Sequence, residues 1–158
     1  MNNLKEVKTK ENSALIEEID IISTKDRNLL EQIKSTETEV LAEKLIITLK
    51  EELKFDYDPK YFKSGACSER IPDNENWYYV RAVSILKFCI ENPRGIKKLR
   101  RRYGKLRNLG SKPSKKYLAS GFLLRHLVQE LERNNYLAVH PKGRYTSERG
   151  KKLLETAL

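Results

Sequence analysis

The feature that most restricts the fold is a basic block, Asn92 to Gln129, that contains no acidic residue. This stretch of the 158-residue chain carries 12 lysines and arginines and no aspartate or glutamate. Charged side chains are almost never buried without a partner, so the elements of this block can turn only narrow apolar edges to a core. We therefore expect the block to form the outer surface of a small domain.

The charge is distributed unevenly along the chain. Residues 1–60 carry 10 basic and 14 acidic side chains, whereas residues 61–158 carry 22 basic and 8 acidic ones, which together give the net charge of +10. Such asymmetry indicates a polyanionic partner for the second part of the chain. Nucleic acid is the first expectation and an anionic membrane surface the second.

Several classes of protein do not fit the residue inventory. No apolar run approaches the ~18 residues of a membrane span, and the amino terminus lacks the apolar segment of a secretion signal, so a soluble intracellular protein is expected. Cys67 and Cys89 predict two reduced thiols, and His126 and His140 lack the spacing of metal ligands. We expect no enzyme activity, metal, cofactor, membrane partner or small-molecule substrate.

The first two strong helices have clear apolar stripes. Thr36–Glu39 resembles a capping box, and it precedes leucines at four-residue spacing that predict a helix over residues 37–54. Asn76 is the expected cap of a second helix, Trp77 to Ile90, with Tyr79 on its buried face.

The basic block follows with further elements. Residues 96–103 predict a short helix with one apolar edge, ended by Gly104 in the left-handed conformation. A basic loop is expected over residues 104–113, and then a helix over residues 115–134 with Ser114 as its cap.

The chain closes with a predicted hairpin and a last helix. Tyr136–Val139 and Arg144–Thr146 predict two strands around a His140–Gly143 turn, and a helix is expected from Ser147 to Leu158. This order of elements predicts a mainly α fold, a winged helix-turn-helix with a small β-hairpin wing and additional N-terminal helices. Residues 1–35 are expected to be a charged extension, weakly helical or disordered until bound, with a second helix capped at Ser23–Asp26, and residues 36–158 the winged-helix domain.

The candidate binding residues are basic and cluster at the predicted helix-turn-helix. Eleven of them lie within 23 residues, where arginine forks and lysine charges suit phosphate oxygens. Four further basic residues lie on the preceding helix, the following helix and the wing, where Arg144 is expected to be exposed. The complete candidate set is Arg81, Lys87, Arg94, Lys97, Lys98, Arg100, Arg101, Arg102, Lys105, Arg107, Lys112, Lys115, Lys116, Arg125 and Arg144.

Fold alone leaves the partner open, because winged helices bind DNA, RNA and proteins. One hypothesis is a non-enzymatic RNA-binding component. The alternative is a winged-helix DNA-binding transcriptional regulator, which would read a major groove with its second helix and is usually a dimer.

Several ordered sequence blocks resemble a known family. Asn76–Leu86 is similar to the WYYVRAASIL signature of the archaeal and eukaryotic small-subunit ribosomal protein S19e family, and Gly95–Gly104 is similar to its second block. Further blocks follow around Ala119–Gly121 and Gly150–Leu154, so that the resemblance covers about residues 38 to 158. The extension 1–35 has no counterpart in it.

The resemblance implies a winged-helix protein in the head of the small subunit. It further implies binding to the 3′ domain of small-subunit rRNA, neighbouring ribosomal proteins of the head as partners, and a role in pre-rRNA maturation and subunit assembly. The implied location is cytoplasmic, in ribosomes, and nucleolar during assembly if the source is a eukaryote. By this resemblance Arg81, the cluster Lys97 to Arg107, Lys112 and Arg125 face RNA.

Three positions depart from the family pattern. Lys105 replaces a glycine, Leu109 replaces a basic residue, and Phe122 replaces a small polar residue. These departures concern the conformation of the loop and its RNA contacts.

Overall fold

The computed structural model describes residues 27–53, 58 and 61–158. The chain divides into two compact units, Met1–Ser35 and Thr36–Leu158. No helix in the described part of the chain is both long and apolar enough to cross a membrane.

In the first unit, residues 27–35 are helical and form the described part of α1. The cap expected at Ser23–Asp26, and the expected weak helix before it, lie outside the described residues. The predicted character of the extension therefore stays a prediction.

The second unit begins with α2, Thr38–Glu52. The leucines at four-residue spacing are all buried, as the stripe predicted, because they share one face of the helix. The predicted cap is wrong: Glu37 occupies the N-cap position without a side-chain cap bond, and its carbonyl accepts the first helical bond from Leu41.

The next helix, α3, spans Trp77–Cys89 and confirms the predicted helix. Its fully buried aromatic residue is Tyr78, whereas Tyr79, expected in the core, is only half-buried. The helix is packed against α2 and two further helices, so its buried surface is wider than one stripe and centres on Ala82 and Ile85.

The short helix α4, Ile96–Arg102, is also confirmed. The segment after it differs from the prediction: Lys105–Leu109 (β1) and Lys112–Tyr117 (β2) form an antiparallel hairpin. The loop expected at 104–113 and the helix start expected at Ser114 are therefore wrong. Gly110, with a φ of 74°, makes the turn that joins the two strands.

Helix α5, Gly121–Arg133, begins six residues later than predicted. Its cap is Ser120, whose side-chain oxygen accepts a hydrogen bond from the Leu123 amide at 3.4 Å. The apolar stripe of the helix, Leu124 to Leu131, lies in the core as expected.

The predicted wing is confirmed as β3, Leu137–His140, paired with β4, Gly143–Thr146. Helix α6, Glu148–Thr156, closes the fold and is capped by Ser147, which accepts from the Gly150 amide at 3.3 Å. The second unit is thus a mainly α winged helix, with one helix before it and a second hairpin inserted between α4 and α5.

Candidate nucleic-acid interface

Helix α4 presents a dense row of cations because its apolar residues occupy one edge. Leu99 is buried, whereas Lys97, Lys98 and Arg101 are exposed around the remaining circumference. With seven residues the helix has only two turns, so a single buried leucine anchors most of its core contact. The sequence prediction of a basic outer surface is confirmed here.

The β1–β2 hairpin extends this row with four exposed lysines, Lys105, Lys112, Lys115 and Lys116. Lys115 lies directly across the ladder from Arg107, and like charges in that position repel. A polyanion bound along the hairpin would relieve this repulsion.

Three of the candidate arginines are held against aromatic rings. The guanidinium carbons of Arg94 and Arg102 lie 4.5 and 4.2 Å from the ring centroid of Phe88, and that of Arg81 lies 4.2 Å from Tyr103. Ring stacking fixes these long side chains and leaves less conformational entropy to lose on binding.

Arg81 also lines a groove of about 600 Å³ with Lys105, Trp77 and Cys67. Burial lowers the pKa of the Arg81 guanidinium from its usual value, partly offset by Tyr103. The groove brings together a residue of α3 and one of the hairpin that are far apart in sequence. Arg70 lines it as well and was missed by the sequence reasoning, because it lies outside the acid-free block.

Five candidate residues also form side-chain bonds within the protein, and two of them are arginines of the basic block that reach carbonyls distant in sequence. The guanidinium of Arg100 donates to the Ala119 carbonyl at 3.1 Å, and that of Arg107 donates to the Ala66 carbonyl at 3.3 Å. Each of these arginines has further guanidinium donors, so a single internal bond positions the group without using it up.

The side chains of Lys87 and Arg144 bind groups of the protein itself and are not fully exposed to solvent. Lys87 Nζ donates to the Thr36 carbonyl at 2.5 Å. Arg144, expected to be exposed on the wing, is half-buried and forms an ion pair with Glu132 at 2.5 Å. That expectation was wrong because the wing folds back towards α5, where Glu132 lies.

The remaining candidates lie on the open surface of α5 and around it. Arg125 is exposed, and its Nε donates to the Gly121 carbonyl at 3.2 Å. Phe122, Gln129 and Arg133 are exposed on the same helix. The helix therefore adds one of the predicted cations and an unexpected exposed aromatic ring.

Among the residues that the structure describes, the cations of α4 and the hairpin have no acidic counterparts. The ion pairs between described residues join Arg133 to Glu130, Arg144 to Glu132, Arg149 to Glu52, and Lys151 to Glu148. None involves a side chain of α4, β1 or β2. Their positive potential is therefore not neutralised within the described part of the chain.

Comparison with known proteins gives one family match. Residues 17–158 match the family model described as Ribosomal protein S19e. The match begins at residue 17 and not near residue 38, so part of the segment that had no recognised counterpart belongs to the family pattern.

Three similar proteins carry the name small ribosomal subunit protein eS19. The protein of Thermoplasma acidophilum is 38% identical over 99 residues, which are 62% of this chain and 66% of that protein. The protein of Entamoeba histolytica is 37% identical over 91 residues, 57% of this chain and 59% of that protein. The protein of Aeropyrum pernix is 39% identical over 100 residues, 61% of this chain and 65% of that protein.

The matched segments thus span slightly less than two thirds of these relatives' own lengths. The family model, in contrast, matches most of the present chain, from the first unit to the last residue. Together with the winged helix, this match shows that the chain belongs to the ribosomal protein S19e family.

Proposed function

We propose that this protein is a structural constituent of the small ribosomal subunit that binds the 3′ (head) domain of small-subunit rRNA. The observation that carries the proposal is the row of exposed cations on α4 and the β1–β2 hairpin, which has no acidic counterpart among the described residues. Family membership supports a ribosomal role. The names of the similar proteins place those proteins in the small subunit.

The mechanism is neutralisation of phosphates and stabilisation of an RNA shape, without a chemical step. Exposed lysines supply mobile charge along the hairpin, while arginines stacked on Phe88 and Tyr103 supply oriented forks for phosphate oxygens. By holding the head domain in its folded form, the protein would support pre-rRNA maturation and subunit assembly.

The proposal extends to partners, location and domains. Neighbouring ribosomal proteins of the head are the expected protein contacts, and the protein works in cytoplasmic ribosomes, with a nucleolar stage during assembly if the source is eukaryotic. Residues 36–158 form the RNA-binding domain, and residues 1–35 a charged extension outside it.

Salt dependence tests this function. If about six to ten phosphates are contacted, affinity for a transcript of the 3′ domain should fall roughly 10³- to 10⁵-fold between 50 and 200 mM salt. The full chain is titrated against transcripts of the 3′ and 5′ domains of the same rRNA, with duplex DNA of equal length as a control. We expect the 3′ transcript to bind most tightly.

Two results would contradict the proposal. A flat salt response on the 3′ transcript would show that phosphates do not supply the affinity. Tighter binding of one DNA sequence by a protein dimer would instead support the transcriptional regulator.

A further inference from the structure

The first turn of α5 carries an exposed aromatic ring beside the basic surface. Phe122 is 53% exposed, whereas the two residues that follow it, Leu123 and Leu124, are buried. The ring centroid of Phe122 lies 6.4 Å from that of His126, with an angle of 43° between the planes. The His126 ring is itself held by a 3.3 Å contact between its Nδ1 and the Tyr78 hydroxyl, which is deeply buried.

Two guanidinium groups meet at the residue directly before this ring. Arg125 Nε donates to the Gly121 carbonyl at 3.2 Å. Arg100 reaches the same residue from α4, since a side-chain carbon added at Gly121 would lie 3.1 Å from its Nε and 3.3 Å from its Cζ. Glycine at this position leaves the space that the Arg100 guanidinium occupies.

These two arginines are not neutralised by any described acidic side chain. Neither Arg100 nor Arg125 forms an ion pair with an acidic side chain within the part of the chain that the structure describes. Both remain bonded to backbone carbonyls through Nε alone, so that other donors of each fork are available to an anion.

Cationic groups beside an exposed aromatic ring suit a nucleotide, because a nucleotide carries an anionic phosphate and a flat base. Unpaired RNA bases stack on aromatic side chains, and their phosphates bind arginine forks. A paired base is covered on both faces by its neighbours in the helix and cannot offer a free face to Phe122. An apolar protein segment would cover Phe122 but would leave both guanidinium groups without an anion.

We propose that Phe122, Arg100 and Arg125 bind one unpaired nucleotide of RNA, with its base stacked on the Phe122 ring and its phosphate on the two guanidinium groups. The proposal rests on the RNA-binding function above and adds the kind of RNA feature that this helix recognises. In this arrangement α5 and Arg100 of α4 bind the extruded nucleotide, whereas the other cations of α4 and those of the hairpin bind phosphates of the surrounding RNA.

The test uses two RNA hairpins that differ by one nucleotide. One contains a single bulged 2-aminopurine and the other is fully paired; the full-length protein is titrated against both at fixed salt. Base stacking on aromatic side chains predicts about 5- to 150-fold tighter binding of the bulged RNA, with quenching of the 2-aminopurine fluorescence. Equal binding of the two hairpins by the wild-type protein would overturn the nucleotide site while leaving general RNA binding in place.

Substitutions at Phe122 separate stacking from apolar contact. Phe122→Tyr should keep the preference for the bulge, whereas Phe122→Leu and Phe122→Ala should lose it and the fluorescence quenching. The matched control is Tyr61→Ala, which removes another exposed ring, 78% accessible, and should change neither readout. Retention of the preference by Phe122→Leu would overturn stacking as its source.

Arg125→Gln tests the phosphate contact. It should weaken binding of the bulged RNA more than that of the paired RNA and lower the salt slope for the bulged RNA by about one. An equal loss on both hairpins would place Arg125 on the general backbone and contradict its role at the nucleotide. Failure of the wild-type protein to bind either RNA would instead overturn the proposed function, and the nucleotide site with it.

Discussion

Gly104 lies where α4 meets the hairpin, and it is required there by a close approach of backbones. A side-chain carbon at this position would lie 2.4 Å from the Tyr117 carbonyl oxygen and 3.1 Å from that of Arg100. The sequence correctly marked this glycine as special but for a different reason. The expected left-handed conformation is absent, since the positive-φ glycines among the described residues are Gly110 and Gly143.

Gly104→Ala should therefore destabilise the fold. Because the atoms it would meet belong to the backbone of β2 and α4, the strand has to move, and overpacking of this kind costs about 1–3 kcal/mol. The measurement is the free energy of unfolding in urea.

The matched control is Gly95→Ala, at the other end of α4. No atom lies within 4 Å of the added carbon, and φ is −87°. The lost N-cap preference and the reduced entropy of the unfolded chain oppose each other, so we expect a change below about 0.5 kcal/mol. Equal losses at both positions would contradict the close-approach argument.

Tyr78 gives a pH dependence at the residue scale. Burial, followed by the charge of Glu130, raises the pKa of its hydroxyl well above the usual value of 10. Above pH 10 the unfolded chain releases this proton while the folded protein keeps it. The stability linked to Tyr78 is therefore complete below pH 10 and is lost as the pH rises further.

Tyr78→Phe should remove this part of the alkaline loss. At pH 7 it should cost about 0.5–1.5 kcal/mol, because the contact with His126 is lost. Between pH 10 and 12 the variant should lose stability less steeply, by up to about 1.4 kcal/mol per pH unit. Urea unfolding across this pH range measures both effects, and parallel pH profiles would count against the buried, neutral hydroxyl.

At the scale of elements, helices with apolar stripes were predictable and the inserted hairpin was not. The leucines of α2 at four-residue spacing and the turn residues of the wing have strong local signals. Strand β2, in contrast, reads Lys-Pro-Ser-Lys-Lys-Tyr and has neither apolar alternation nor high β propensity. Its formation depends on pairing with β1 and on the close approach of Tyr117 to Gly104, and the composition of the segment gives no sign of either contact.

One weak signal for this hairpin was present. Asn108 precedes the turn and Gly110 lies in it, and the Asn108 side-chain oxygen accepts a hydrogen bond from the Gly110 amide at 3.0 Å. Pro113 also suits a strand of a two-stranded sheet, where one edge is always unpaired. The cap at Ser114 was a plausible but wrong choice because the true cap, Ser120, precedes a glycine and a phenylalanine that gave no clear helical start.

The exposed lysines of the hairpin should contribute to RNA affinity and not to folding. Lys116→Gln removes an exposed charge of β2, so it should weaken binding to the 3′-domain transcript and lower the salt slope by about one, with unfolding free energy unchanged within about 0.5 kcal/mol. Lys152→Gln, an exposed lysine of α6 outside the acid-free block, is the control and should leave the slope unchanged. Identical salt slopes for the two variants would show that the hairpin does not contact the RNA.

At the scale of the whole molecule, α2 is an integral part of the second unit. The Tyr136 hydroxyl donates to a Glu52 carboxylate oxygen, and Arg149 pairs with the other oxygen at 3.2 Å. Lys44 Nζ donates to the Ala157 carbonyl at 2.8 Å. These contacts join the first helix of the unit to its last elements, across most of the sequence.

Truncation tests the proposed domain boundary. A chain beginning at Thr36 should unfold cooperatively and bind the 3′-domain transcript with little loss, because the cations of α4 and the hairpin are all retained. A chain beginning at residue 54 lacks the buried leucine stripe of α2 and should lose most of its stability. Thermal unfolding measures the stability of both chains, and titration with the transcript measures their RNA affinity. An unfolded chain 36–158 would refute the boundary.

The sequence predicted which segment of the chain carries the positive charge, but it did not predict which of the charged side chains are exposed. Absence of acidic residues from 92 to 129 was sufficient to place the cations of α4 and the hairpin outside. The inward roles of Lys87 and Arg144 depend on Thr36 and Glu132, whose positions only the folded structure brings to them. Local sequence therefore indicated where charge accumulates, while tertiary contacts determine which charges stay available.

The most direct test of the central claim is crosslinking in living cells, followed by sequencing of the nucleic acid attached to the purified protein. A structural constituent of the small subunit should yield reads concentrated in the 3′ domain of small-subunit rRNA, and crosslinked peptides from α4, the hairpin and the start of α5. Reads dominated by chromosomal DNA, or spread over many RNAs without enrichment of that domain, would contradict the account.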